Sequence, residues 1–213
     1  PMVTKALGFI ALVGVATSVN AVNLTLTPGD GPVGVPAELS DGPVGAVASM
    51  TWGPVNQGGG AGFGDFTAFL ESAVTDWGGG KLAFWYKISN NARRDPNGGS
   101  VPTNPIEFMG VFLPVTPTQV QVNQQSGPNS ATLASFLGPV GFAYTQDPIV
   151  AGERSTWGVI FTDFTSYDIG KVRVTGGNSQ DLFGIVPVPE PATYAGMFAL
   201  GLAGFAAYRR FRA

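Results

Sequence analysis

The chain has 213 residues, a net charge of −3 and neither cysteine nor histidine. Without thiols and imidazoles it has no Ser-His-Asp or Cys-His catalysis, no disulfides and few ways to bind zinc, copper or non-haem iron. Glycine and proline account for 48 residues, charged residues are scarce and aromatic residues are common, which favours a β-rich, loop-rich domain over a disordered tract.

The N-terminal segment has the features of an export signal. Lys5 provides a positive charge, residues 6–19 are apolar, and small residues stand at Val19 and Ala21, the −3 and −1 positions of a cleavage site. These features predict a signal peptide over residues 1–21, removed by signal peptidase after Ala21. A poorer cleavage site at residues 16–18 and a buried N-terminal helix are the alternatives.

The central segment, residues 22–186, is predicted to form one all-β domain. Short apolar or alternating runs are separated by Gly, Pro, Asn and Asp, as in an antiparallel β-sandwich or jelly roll. Strands are expected at residues 23–27, 46–52, 81–88, 106–113, 119–123, 142–145, 155–162, 167–175 and 181–186. Residues 66–74 and 132–137 fit either a strand or a short helix, residues 76–80 a turn, and residues 90–105 a long polar loop.

A five-residue sequence occurs twice near the start of this domain. Asp30–Gly34 and Asp41–Gly45 both read Asp-Gly-Pro-Val-Gly. Recurrent turn chemistry, in which Pro and Gly preset backbone angles, is favoured over a repeated hairpin, because two copies do not make a repeat array.

Three aromatic residues are candidates for contact with sugar rings. Trp77 stands in a turn beside three glycines and is the best candidate for exposure. Trp85 and Tyr86 are neighbours in a predicted strand, where successive side chains point to opposite faces, so one of the two is expected to face outward. For most aromatic residues of this chain, core packing is the favoured interpretation.

Acidic residues offer weaker candidates for a site. A glycan hydrolase would need two carboxylates across a cleft. The candidates are scattered and form no dense motif: Glu71, Glu107, Glu153, Asp163, Asp168 and Asp181. Asp95 and Asn97 place two oxygen ligands in a Gly-containing turn, which is a weak calcium candidate, whereas an Asx-type turn is favoured. No catalytic residue and no cofactor is expected.

The charge balance bears on partners. Removing residues 1–21 and 190–213 lowers the basic residues from 11 to 7 and the acidic residues from 14 to 13, which gives a net charge of −6. Nucleic-acid binding requires clustered Lys and Arg, so it is disfavoured.

The C-terminal segment, residues 187–213, has three parts in a fixed order. A proline-rich motif at residues 188–193 contains Pro189, Glu190 and Pro191, and an uncharged apolar run spans residues 194–208. Three arginines lie within the basic tail at residues 209–213, namely Arg209, Arg210 and Arg212. A 15-residue helix reaches about 22 Å, so a membrane span of roughly 30 Å is just possible with the flanking residues. The arginines would then remain on the cytoplasmic side.

This tail resembles the PEP-CTERM sorting signal of Gram-negative bacteria. The resemblance rests on the Pro-Glu-Pro motif, the apolar run and the arginines, and it covers roughly the last 26 residues. It implies recognition and removal of the tail by exosortase, a membrane-embedded enzyme, with the motif exposed and residues 186–190 acting as a stalk. An ordinary C-terminal membrane anchor is the alternative.

The resemblance also implies an association with biofilm and exopolysaccharide. The expected protein is a non-enzymatic structural or adhesive component, exported to the outer cell surface or extracellular matrix from a precursor anchored in the inner membrane. Self-association and exopolysaccharide binding are its expected interactions. A carbohydrate-binding module and a carboxylate-dependent glycan hydrolase are the alternatives.

Overall fold

A computed structural model describes residues 23–56, 66–91 and 104–189, together with residues 196, 199–203, 205, 208 and 209 of the tail. Within these residues, thirteen strands are present. They are β1 Leu24–Leu26, β2 Val33–Gly34, β3 Ala48–Asn56, β4 Thr67–Gly78, β5 Lys81–Asn91, β6 Phe108–Val111, β7 Val120–Gln124, β8 Leu133–Phe136, β9 Val140–Ala143, β10 Glu153–Arg154, β11 Gly158–Phe161, β12 Ser166–Gly176 and β13 Asn178–Val188.

The strands form two sheets. The first sheet has the order β1-β7-β11-β5-β4-β3, with β10 also paired to β5, and the second has the order β13-β12-β6-β9-β8-β2. Every strand pair in both sheets is antiparallel. The prediction of an all-β, antiparallel fold is therefore confirmed.

The main core takes side chains from both sheets. On β5, Phe84, Tyr86 and Ile88 point into it, because alternate residues of a strand share a face. Met109 and Leu182 contribute from the second sheet. Burying a large apolar side chain contributes about 1.5–3 kcal/mol, so this shared core is the main force that holds the sheets to one another.

Two buried hydrogen bonds also connect the sheets, and both end on Ile185 of β13. The Tyr86 hydroxyl donates to the Ile185 carbonyl oxygen at 2.7 Å. The Ile185 N–H donates to Ser72 Oγ at 3.1 Å. Both backbone groups of Ile185 therefore have partners on the first sheet, which fixes the last strand against it.

The hairpin between β4 and β5 positions an exposed tryptophan. Gly79 and Gly80 both have positive φ angles, 64° and 79°, as a tight two-residue hairpin turn of type I′ requires. The register shifts between Asp76 and Gly78. Residues 76–78, predicted to lie in the turn, thus belong to the end of β4, and Trp77 lies one residue before the strand ends.

Other differences from the prediction concern short or ambiguous segments. Residues 66–74 and 132–137 contain strands β4 and β8, not helices. The strand expected over residues 155–162 is shorter, Gly158–Phe161. Strands β2 and β10 were not predicted, because two residues carry no periodicity.

The two copies of the repeated sequence adopt different structures. Val33 and Gly34 of the first copy form β2, which pairs with β8. The second copy lies outside any strand. The repeat therefore does not build a repeated hairpin, and the turn-chemistry interpretation fits the second copy, which contains a turn, but not the first, which ends in a strand.

Candidate functional site

The outer face of the first sheet carries a second, smaller apolar cluster. Its buried members, here called the outer cluster, are Ala73, Ala83, Trp85, Val159 and Phe161. They alternate along β4, β5 and β11 with residues of the main core, so they point away from it. The apolar side chains on this face form a surface against which a ligand or a partner can pack.

Trp77 lies beside the outer cluster, and it is exposed, as the sequence predicted. Its side chain is 40% exposed, and its ring lies 4.8 Å from that of Phe161 at a tilt of 43°. The Lys81 ammonium lies 6.0 Å from the Trp77 ring centroid and forms an ion pair with Asp163 at 2.5 Å. One face of the indole is thus supported by an aromatic ring, while polar groups stand at its rim.

A cleft opens beside this indole. The Trp77 cleft has a volume of about 140 Å³ and is lined by Trp77, Phe161, Lys81, Asp163, Gln119 and Gln121. An aromatic face with amide and charged groups around it can stack on an apolar sugar face and donate hydrogen bonds to hydroxyls.

Trp85 and Tyr86 are both buried, so the expectation that one of them faces outward onto solvent is wrong. Tyr86 is fully buried in the main core. Trp85 does point to the outer face, but it is only 8% exposed, and its indole N–H donates to Thr75 Oγ1 at 2.9 Å. Alternation along the strand predicted the direction of each ring, but not the segment that covers Trp85.

That cover is a strap formed by residues 36–47. The backbone of Gln124 in β7 makes two hydrogen bonds with the strap. Its N–H donates to the Pro36 carbonyl oxygen, and its carbonyl oxygen accepts from the Leu39 N–H, both at 3.2 Å. At the other end, the Val47 N–H donates to the Val74 carbonyl of β4 at 2.8 Å. Because β11 and β5 lie between β7 and β4 in the sheet, the strap crosses both of them.

The strap contains the second copy of the repeated sequence, and Gly42 of this copy fits against Trp157. A Cβ atom at Gly42 would lie 2.9 Å from both Cδ1 and Nε1 of that indole. Beneath the strap is a groove of about 360 Å³, the strap groove, lined by Leu39, Asp41, Gly42, Thr75, Asp76 and Trp85. The groove was not predicted from the sequence, in which the glycine of the repeat was the available signal.

The candidate hydrolytic carboxylates are dispersed and take part in other interactions. Asp163 pairs with Lys81, and Glu71 lies 3.9 Å from Lys87. Glu153 accepts hydrogen bonds from Asn129 and from the Val150 N–H, both at 3.2 Å.

Asp181 is the most strongly engaged of these carboxylates. Its oxygens lie 2.8 Å from Arg173 Nε and 2.8 Å from Lys171 Nζ. The hydrogen bond from Arg173, followed by that from Lys171, lowers the pKa of Asp181 to about 2. Such a carboxylate is ionised near neutral pH and is suited to an ion pair rather than to a general acid.

The weak calcium candidate, Asp95 with Asn97, lies outside the described residues. Among the residues that the structure describes, no three His, Cys, Asp or Glu side chains are grouped so that they could hold a metal ion.

The C-terminal signal begins inside the last strand. Val188 pairs with Ser166, so β13 extends two residues beyond the predicted domain end, and Pro189 is buried. The expected stalk over residues 186–190 is therefore replaced by strand up to Val188. The expected exposure of the motif is wrong for Pro189, because this residue directly follows a strand that is packed and paired.

The remaining signal residues are described only in part. Arg209 is exposed and helical, as are the other described residues from 196 onward. Ala21, Glu190, Pro191, Arg210 and Arg212 lie outside the described residues. In the part of the chain that is described, no helix has both the length and the apolar character needed to cross a membrane.

These features define an antiparallel all-β domain whose final strand continues into a C-terminal signal segment. Comparison with protein families identifies that segment: residues 187–210 match the PEP-CTERM protein-sorting motif. The chain thus carries this motif, and the motif implies an exported protein that is processed by exosortase. No curated protein and no solved structure matches the chain.

Proposed function

We propose that this exported protein is a non-enzymatic structural or adhesive unit of the outer cell surface or extracellular matrix. The observation that carries the proposal is the sorting motif at residues 187–210, which follows the domain without an intervening linker. Removal of the tail would release a domain whose last strand, β13, ends at Val188. Signal peptidase and exosortase are the partners during export.

The domain is proposed to be a β-sandwich of the two sheets. In support, both sheets contribute to one core, and Tyr86 and Ser72 of the first sheet hydrogen-bond to Ile185 of the second. The jelly-roll type of strand connection is part of the same proposal.

Contacts with partners would be made through sheet faces and sheet edges. Strand addition needs an edge with free backbone donors and acceptors. On β13 the backbone groups of Ile185 are occupied by side chains. On β3, Pro54 has no N–H, and the register shifts between Trp52 and Val55. The β13 and β3 edges therefore resist strand addition, which leaves the sheet faces and the edges at β1 and β2 as the binding surfaces.

A second candidate function, binding of carbohydrate, is favoured by one specific observation. Trp77 presents a 40% exposed indole, supported by Phe161 and bordered by Lys81 and Asp163, at a cleft on the outer face. An adhesive surface protein can use such a contact to hold exopolysaccharide, so this candidate is compatible with the first. The hydrolase alternative has no comparable support, because its candidate carboxylates are scattered.

Extraction and glycan binding test these proposals together. A matrix unit should self-associate or remain in the insoluble extracellular fraction, whereas a hydrolase should release reducing ends. If carbohydrate is bound, polysaccharide in a native gel should retard the protein, and Trp77→Ala should remove the retardation. Trp52→Ala is the matched control, because Trp52 is similarly exposed, 37%, but lies against Phe183 of β13. A soluble, monomeric protein that no polysaccharide retards would contradict both proposals.

A further inference from the structure

The Trp77 cleft alone is small for a ligand site. Its volume of about 140 Å³ is less than the roughly 300–1,000 Å³ that is usual for ligand pockets. The strap groove adds about 360 Å³, so the two spaces together fall within the usual range. A ligand that fills both would have to extend across the sheet.

The Trp77 cleft and the strap groove are both lined by apolar side chains of the outer cluster. Phe161 lines the Trp77 cleft, Trp85 lines the strap groove, and both belong to the outer cluster. Ala83 of the same cluster pairs with Phe161 on one side and, on the other, with Thr75, which lines the groove. The cleft and groove are therefore neighbouring parts of one surface rather than separate sites.

The charges of this surface select among glycans. In the cleft, Lys81 and Asp163 neutralise one another. The groove adds Asp41 and Asp76, and none of the described residues that line it is basic. The surface is therefore negative, as is the domain that carries it. A uronate or sulfated chain would be repelled, whereas neutral or amine-bearing rings would not.

We propose that the Trp77 cleft and the strap groove form one extended binding track for a glycan chain that lacks acidic groups and is longer than a disaccharide. This inference rests on the second candidate function, sugar contact at Trp77. Trp77 provides the stacking platform at one end. At the other end the chain enters beneath the strap and contacts Trp85 and the carboxylates of Asp41 and Asp76.

The test compares oligosaccharides of different length and charge. Binding of cellobiose, cellohexaose and an oligouronate hexamer to the full chain in detergent micelles would be measured by titration calorimetry. Cellohexaose is expected to bind at least about tenfold more tightly than cellobiose, because a longer chain fills both spaces. The uronate hexamer is expected to bind at least about tenfold more weakly than cellohexaose.

Gly42→Ala tests the contribution of the strap groove separately from that of the Trp77 cleft. The added Cβ meets Trp157, so the strap must shift, while the Trp77 cleft is untouched. The variant is expected to weaken cellohexaose binding by at least about threefold and to leave cellobiose binding unchanged. Trp77→Ala should weaken the binding of both cellohexaose and cellobiose, whereas Trp52→Ala should weaken the binding of neither. Far-ultraviolet circular dichroism of each variant checks that the fold is retained.

The results distinguish failure of the extended track from failure of the sugar contact at Trp77. Equal affinities for cellobiose and cellohexaose, both lost in Trp77→Ala, would overturn the extended track and leave sugar contact at Trp77 in place. A uronate hexamer that binds as tightly as cellohexaose would overturn the charge selection. No binding of any oligosaccharide would overturn both the track and the second candidate function, and would leave export and sorting unaffected.

Discussion

The two hydrogen bonds on Ile185 make a quantitative prediction about how the last strand is held. In Tyr86→Phe the ring remains in the core, but the Ile185 carbonyl loses its donor at 2.7 Å. A buried polar group left without its partner costs about 1–3 kcal/mol. We therefore expect the free energy of unfolding to fall by that amount. For a domain of this size, each kcal/mol lowers Tm by about 2–4 °C.

Urea unfolding followed by circular dichroism measures this change, and Tyr167→Phe is the matched control. The Tyr167 side chain is 44% exposed, so losing its hydroxyl should change the stability by less than about 0.5 kcal/mol. A Tyr86→Phe change as small as that of the control would refute the reasoning, because the hydroxyl would then contribute nothing.

A double-mutant cycle with Ser72→Ala extends the test. Ser72 Oγ accepts the Ile185 N–H, so the two side chains act on the same residue. Contacts that share a partner are expected to couple by about 0.5–3 kcal/mol. If the two effects add to within about 0.3 kcal/mol, the hydrogen bonds of Tyr86 and Ser72 act independently, which would contradict the expected coupling.

Three further predictions concern pH and backbone packing. Burial raises the pKa of Tyr86 and that of Tyr144 above 10, so the contribution of these two phenols to stability should be constant well below pH 10 and be lost as the pH rises beyond 10; urea midpoints from pH 8 to 11.5 check this, and an unchanged midpoint would contradict it. The pKa of Asp181 is lowered to about 2, chiefly by a hydrogen bond from arginine, so its contribution should be present above pH 4 and be lost as the pH falls through 2; because the pair is partly exposed, Asp181→Asn should cost less than about 1 kcal/mol at pH 7 and only a small part of that at pH 2, and an equal cost at both pH values would count against the ion pair. Gly176→Ala places a Cβ against the Pro105 carbonyl and should cost about 1–3 kcal/mol in urea unfolding, whereas Gly34→Ala, with open space around it, should cost little; equal costs would show that the close approach is unimportant.

The all-β class could be predicted because several of the long strands have clear signals. The run over residues 81–88 and the alternation over residues 167–175 correspond to β5 and β12. Segments at residues 66–74 and 132–137 stayed ambiguous, since short apolar runs fit either structure. The pairing partners were not predictable, because register depends on contacts far apart in the sequence, such as Ser166 with Val188.

The candidate site was predictable only in part. Three glycines after Trp77 indicated an exposed position, and the structure agrees. The burial of Trp85 could not be foreseen, because the covering strap is a Gly- and Pro-rich segment without periodicity that begins about 50 residues earlier in the chain. The extension of β13 to Val188 was missed since the proline-containing residues 186–190 were expected to form a stalk, although Pro187 lies within the strand.

The C-terminal motif was the feature of the chain that could be recognised most readily from the sequence. Its order of a Pro-Glu-Pro motif, an apolar run and arginines is local in the sequence and needs no long-range contact to be recognised. The family match at residues 187–210 agrees with it. Sorting can thus be inferred from sequence alone, whereas the proposed binding surface of the domain needed the structure.

The central claim is that the chain is exported and sorted through its C-terminal motif, and intact mass spectrometry tests it most directly. The protein would be recovered separately from extracellular material and from membranes of the producing cells. The account predicts a species enriched outside the cell that begins at Val22 and ends near Glu190. A membrane-bound species that retains residues 209–213, with no processed form outside the cell, would contradict it and would indicate a plain C-terminal anchor.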